Sequence, residues 1–197
     1  MNLEVVKVSI PKDNRIYTYS DYMSWPDDVR AEIIEGIPYM QVAPSRIHQE
    51  ILSEVHRQIA NYLIGTGCSV YPAPFHVVLD AEKEGKQDGQ NVFEPDITVV
   101  CDQSKLDENG CQGSPNMTVE ITSPSTARKD KIEKFNKYEQ AGVREYWIIE
   151  PQEKVVTVFT LQENYRFGRP GLYSTEDKVE VSIFDDLIID LKMVFDR

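Results

Sequence analysis

The 197-residue sequence predicts a single mixed α/β domain. Three observations carry that prediction. Apolar segments of strand length alternate with helical stretches through the middle of the chain and then give way to a run of strands. That order is expected of a mixed central sheet flanked by helices, with extra antiparallel strands. No linker divides the chain, and its length suffices to bury one core unaided. The hydrophobic fraction of 41% and the charged fraction of 27% are ordinary for a soluble globular protein.

Taken in order, residues 1–18 read as an extended lead-in. A short helical stretch follows, for which Ser20 or Asp21 offers an N-cap. Residues 27–35 read as helix turning into strand at Ile33-Ile34-Glu35. Gly36 and Pro38 then punctuate a turn before the hairpin partner Tyr39-Met40-Gln41-Val42. Ser45 can cap a helix over 46–64, because Ile47, Ile51, Val55, Ile59 and Leu63 recur every fourth residue, as one buried face requires. Gly65 and Gly67 end it. Val70 to Leu79 is strand-like, but Pro72 and Pro74 assign it to an edge or a bulge. Residues 80–91 and 102–115 are polar loops on either side of the short apolar strand 97–100. Strand 117–122 is broken by Ser123-Pro124, and a helix runs from there to Ala141, closed by Gly142. Tyr146-Trp147-Ile148-Ile149 forms a buried strand within 144–150. Further strands are expected over 155–161, near 165–173 and near 178–184, and 184–195 is apolar enough to pack back on the core.

Charge and composition restrict the function. Acidic residues number 33 against 21 basic ones, a net charge of -12, which argues against non-specific binding to a polyanion but leaves room for a local basic surface. No apolar run is long enough to span a membrane and the N-terminus has no signal-peptide core, so a cytoplasmic protein without membrane attachment is expected. Cys68, Cys101 and Cys111 are odd in number and widely spaced. They are expected to be buried or loop thiols, with neither a disulfide framework nor a zinc pair. P-loop, nucleophile-elbow and dinucleotide-binding motifs are absent.

Two acids occupy unusual positions. Asp96 opens the strand 97–100 after Glu94-Pro95, and Glu120 lies between Val119 and Ile121 inside the next strand. A carboxylate in an apolar strand is costly unless paired. If the strands are neighbours the two acids converge, and such a pair suits Mg²⁺ or Mn²⁺. On the helix that follows, a turn of 100° per residue places Lys131 and Lys134 on the apolar arc of Ala127, Phe135, Tyr138 and Ala141. Asp130 lies at its edge, and Lys129, Glu133, Asn136 and Gln140 point outward. Lys134 facing Glu120 would pair two otherwise isolated charges, with Lys131 as a rival for the role. A metal, two carboxylates and a lysine are a kit for phosphodiester hydrolysis. His48, at the start of its helix, reads as a capping, core or supporting residue, and His56 and His76 as structural.

The run Pro95-Asp96, Val119-Glu120-Ile121-Thr122-Ser123-Pro124-Ser125-Thr126, Asp130, Lys134, Tyr138 and Ala141-Gly142-Val143-Arg144-Glu145-Tyr146-Trp147-Ile148, then Glu150-Pro151, resembles the pattern of the Uma2 family (DUF820). Glu32-Ile33-Ile34-Glu35-Gly36, Pro44-Ser45 and His48-Gln49 match it too, so the resemblance covers residues 20–160 of a domain spanning 1–197. It implies a restriction endonuclease-like fold and a metal-dependent DNA endonuclease of the PD-(D/E)XK type. Asp96 and Glu120 would be metal ligands, Glu35 a further acid near the metal, and Lys134 the catalytic lysine. Thr122, Asp130, Lys131, His48 and Tyr138 would support the site. Thr122 stands where the parent pattern has its lysine, a departure that the following helix makes good. Nucleases of this architecture often pair, so a homodimer is expected; a nuclease-fold module that binds without cutting is the alternative.

Overall fold

The computed structural model describes residues 15–26 and 29–196. Most of the expected lead-in, and the helix start at 27–28, lie outside those residues, and 29–30 are not helical. The first helix, α1 (Tyr19–Tyr22), is capped by Thr18 rather than Ser20 or Asp21. Asp21 instead closes the capping box by accepting the Thr18 backbone N–H at 2.9 Å. β1 (Ala31–Ile34) and β2 (Ile37–Met40) form an antiparallel hairpin in which Ile34 faces Ile37, leaving Glu35-Gly36 as a two-residue loop. Both loop residues have positive φ, 51° and 74°, the twist that a tight hairpin favours. Gly36 is needed there twice over, because an added Cβ would also run into Ile16 Cγ2.

α2 (Arg46–Leu63) starts at Ser45, whose hydroxyl accepts the His48 N–H at 3.2 Å, and buries Ile51, Leu52, Val55, Ile59 and Leu63. Ile47, expected on that face, is half exposed instead. The proline-containing run 70–79 splits into β3 (Ser69–Pro72) and β4 (His76–Val78), with a cis Ala73–Pro74 bond between them. Where a plain loop was expected, 80–91 holds a short helix, α3 (Ala81–Glu84), and one 3₁₀ turn. β5 (Val92–Phe93), β6 (Ile97–Val100), β7 (Gly110–Gln112) and β8 (Met117–Ile121) follow.

The helix after β8 enters at 127–128, widens into a π-helical segment over Lys129–Lys134 and returns to α-helix in α4 (Phe135–Ala141), ending at Gly142 with φ 84°. β9 (Glu145–Glu150), β10 (Val155–Thr160), β11 (Gly171–Ser174), β12 (Lys178–Glu180), β13 (Ile188–Asp190) and α5 (Leu191–Phe195) complete the chain.

The strands form a six-stranded sheet in the order β11-β10-β9-β8-β6-β3 and a five-stranded sheet in the order β2-β1-β5-β4-β7, with β12 and β13 paired separately. β8 and β9 are parallel, as a helical crossover between them requires, while β6 and β8 are antiparallel, so the central sheet is mixed. Strand alternation sorts the two faces of that sheet. Ile97, Val99, Met117, Val119, Ile121, Trp147 and Ile149 pack against α2 and the C-terminal segment. Tyr146 and Ile148 face the other way, toward Tyr138 of α4 and toward Ile34, Val77 and Phe93 of the smaller sheet. The smaller sheet therefore lies against the face of the central sheet that carries Glu120.

One expectation fails outright. Cys68 and Cys101 are joined in a disulfide, while Cys111 is a buried thiol outside it. The cause is register: β3 and β6 pair Ser69 with Val100, so the next positions outward, 68 and 101, face one another.

Candidate active site

The β6–β8 ladder pairs Ile97 with Val119, which brings Asp96 and Glu120 opposite one another one step further along. Asp96 is fixed at both oxygens. Oδ2 accepts the Ile121 N–H at 2.6 Å, and Oδ1 lies 3.1 Å from Nε2 of His48, held in place by the start of α2. Glu120 sits on the face turned toward the smaller sheet, where its Oε1 accepts bonds from Lys134 Nζ at 2.8 Å and from the Tyr138 hydroxyl at 2.7 Å.

Lys134 is enclosed, its side chain 4% exposed, with Glu32 at 2.7 Å, Glu120 at 2.8 Å and Asp130 at 3.7 Å. Burial pulls its pKa down, but these carboxylates outweigh burial and hold the ammonium well above the ordinary lysine value. Burial pushes Glu120 well above the usual carboxylate range. Lys134 opposes that shift, while Asp130, Glu32 and Asp96 add to it. Burial raises Asp130 likewise, again against Lys134. Four acids share this cluster with one enclosed lysine, so it has a surplus of negative charge that a further cation would relieve.

The residues expected to form the site divide into those brought together and those not. Asp96, Glu120, Thr122, Asp130, Lys134 and His48 line one cleft of about 550 Å³, with Tyr138 behind Glu120. Thr122 is anchored to the neighbouring strand, its N–H donating to the Ile149 carbonyl at 2.9 Å. Glu35 is not brought to this cleft. Its side chain is 69% exposed in the hairpin turn and pairs with Lys137 at 2.7 Å. The acid that β1 contributes is Glu32, which is buried, bonded to Lys134 and also accepts the Glu94 N–H at 3.1 Å. Glu32 and Ile34 share the inward face of β1, whereas Glu35 has already left the strand.

Lys131 is likewise absent. It turns outward to Glu150, 2.5 Å away, while Lys129, expected outside, lines the cleft 3.8 Å from Glu32 Oε2. The π-helical segment is the reason, because its hydrogen bonds close over five residues instead of four and so change which side chains share a face. Five positions apart, Lys129 and Lys134 both turn inward.

Also lining the cleft, Glu94 accepts a bond from the Tyr22 hydroxyl at 2.6 Å and from Arg30 at 3.2 Å, with His76 Nε2 at 3.5 Å from the same carboxylate. These contacts hold the Glu94-Pro95-Asp96 turn in place. Burial and Glu94 together push the Tyr22 hydroxyl far above its ordinary range. Among the described residues no group of three or more His, Cys, Asp or Glu side chains is placed to hold a metal ion. The chemistry of the donor set is nonetheless that of a hard cation: two carboxylates face one another across a strand pair, in a cluster short of positive charge. Mg²⁺ characteristically uses one or two protein carboxylates and completes its shell from elsewhere.

Comparison with known proteins gives a consistent picture. The profile of the Uma2 family, described as "Putative restriction endonuclease", matches residues 19–191. A crystal structure from Anabaena variabilis, described as "a putative nuclease belonging to DUF820", shares the fold with a TM-score of 0.71 at 21% identity, covering 91% of this chain and 97% of that one. An uncharacterized protein of Synechocystis sp., slr1290, is 26% identical over 120 residues, so the match spans 60% of this chain and 60% of that relative's length.

Proposed function

This chain belongs to the Uma2 family, and on that premise we propose that its cleft is the active site of a divalent-metal-dependent endonuclease acting on DNA. One observation carries the reading: Asp96 and Glu120 face one another across the β6–β8 seam, at the wall of an open cleft, in a cluster with more acids than bases. A Mg²⁺ or Mn²⁺ ion held by Asp96 and Glu120 would supply Lewis acidity toward a phosphoryl oxygen and lower the pKa of a water.

The chain's own groups have distinct parts. His48 and the Ile121 N–H fix the rotamer of Asp96. Lys134 and Tyr138 orient Glu120, and Lys134 also holds Glu32 toward the same point. Lys134 thus serves the reaction by balancing and positioning carboxylates, with Asp130 as its third partner. Thr122 occupies the edge of the cleft without a charge. No helix among the described residues is long and apolar enough to cross a membrane. We propose a cytoplasmic homodimer, since two copies allow both strands of a duplex to be cut.

Supercoiled plasmid and single-stranded DNA incubated with the protein in Mg²⁺, Mn²⁺ or EDTA test this reading. Cleavage confined to the metal-containing arms and abolished by Glu120→Gln supports it. No cleavage in any arm rejects it. The second reading, a nuclease-fold module that binds without cutting, is favoured by one feature: Lys134 is enclosed and already paired with Glu32 and Glu120 of its own chain, with Asp130 at 3.7 Å. DNA retention without turnover is the result that would establish it.

A further inference from the structure

We infer that Lys129, rather than Lys134, is the cation that meets a phosphate of the substrate backbone; this rests on the nuclease reading above. Lys134 Nζ lies within hydrogen-bond range of two buried carboxylates, Glu32 at 2.7 Å and Glu120 at 2.8 Å, with Asp130 further off at 3.7 Å, and its side chain is only 4% exposed. To reach a phosphate it would have to abandon buried carboxylates, which costs several kcal/mol for each charge left unpaired in low dielectric.

Lys129 is differently placed. It lines the same cleft, its side chain is 16% exposed, and among the described residues the carboxylate it approaches is Glu32, at 3.8 Å, beyond hydrogen-bond range. Its ammonium lies 4.6 Å from the centre of the Tyr39 ring, which steers a cation without occupying its N–H donors. The stem is therefore held while the donors remain available to an incoming oxyanion.

The backbone supports the assignment independently. π-helical turns are rare and frequently mark functional sites, and here the π segment over Lys129–Lys134 brings Lys129 to the wall that holds Glu32, Glu120 and Asp130. The other exposed cation of the cleft, Arg30, is already bonded to Glu94 at 3.2 Å. Lys129 is the group left to offset the charge of a bound phosphodiester.

The test is binding of a fluorescein-labelled 20-base-pair DNA duplex, followed by anisotropy across a salt series in Ca²⁺, a hard oxygen-binding cation. Lys129→Gln is expected to bind about tenfold more weakly and to flatten the slope of log K against log salt by about 0.9, one phosphate contact. Lys129→Arg is expected to restore the slope, and Lys154→Gln, which removes a surface charge paired with Asp196, to leave it unchanged. Melting curves accompany each variant, with Lys129→Met, which keeps the stem over Tyr39, replacing the glutamine if that variant is unfolded. A slope identical in wild type and Lys129→Gln overturns the inference while leaving the nuclease reading standing. A wild type that binds no DNA overturns both.

Discussion

At the scale of single residues, two acids on the same hairpin are told apart by where the strand ends. Glu35 stands beside Gly36 and resembles a family position, yet it belongs to a two-residue turn and faces water; Glu32, three residues earlier, is the buried one. The rule that singled out Glu120, an acid flanked by apolar strand residues, applies equally to Glu32 before Ile33-Ile34. It was legible in the sequence, but the strand was read as starting too late. Glu32→Gln is expected to lower metal-dependent cleavage at least about 100-fold, a loss of the size seen when a charge-stabilising active-site group is removed. Glu35→Gln should stay within about twofold, and plasmid nicking rates check both.

Lys134 gives a stability prediction. Lys134→Met strands Glu32, Glu120 and Asp130 together without their cation, a change that costs about 3–5 kcal/mol when a buried pair is broken. Burial already raises Glu120 and Asp130 above their unfolded-state values. A raised acid contributes stability that is fully present below its unfolded pKa and is lost as pH rises through the folded one. Without Lys134 to oppose it the shift grows, so the deficit of Lys134→Met measured by urea unfolding should be larger at pH 8 than at pH 5.5. A deficit independent of pH would contradict the charge assignment.

At the scale of elements, what sequence periodicity sees well is regular structure. The helix expected over 46–64, the strands expected at 97–100 and 117–122, and the buried strand expected within 144–150 all stand within a residue of where their patterns put them. Two features were beyond its reach. The π-helical segment breaks the 100° rule on which a helical projection depends, so it exchanged Lys129 and Lys131 between faces, although Lys134, at its C-terminal end, stayed inward. The Cys68–Cys101 disulfide depends on β3 lying against β6 in one register, which no spacing between the cysteines reveals. That bond closes a loop with a sequence separation of 33 and fastens β3 at the edge of the central sheet. Opening it with dithiothreitol, or by Cys68→Ser, should cost about 2–4 kcal/mol by the loop-entropy argument, read as a lower urea midpoint. An unchanged midpoint would mean that β3 is held by its ladder alone.

At the scale of the whole molecule, the mixed sheet was legible from alternating strands and helices. The second sheet was not, because its strands are two to four residues long and one of them, β7, lies in a stretch read as a polar loop. That second sheet matters, since it carries Glu32 to the face where Glu120 waits. The net charge of -12 also acts at this scale. With Arg30 paired to Glu94 and Lys129 left as the cation that meets a phosphate at the cleft, DNA binding should show a shallow salt slope of about 1, against the much steeper dependence of proteins that grip many phosphates. Sedimentation should give about twice the 22.6 kDa chain mass for the proposed homodimer; a species at the chain mass would remove the dimer.

Everything proposed for the cleft turns on whether Asp96 and Glu120, opposite one another across β6 and β8, together hold a divalent cation. Calorimetric titration of Mn²⁺ into the wild type, Asp96→Asn and Glu120→Gln tests it most directly. A single saturable site is expected in the wild type, weakened at least about tenfold in each variant while both stay folded. Equal Mn²⁺ affinity in all three proteins, or no binding by the wild type, would contradict it.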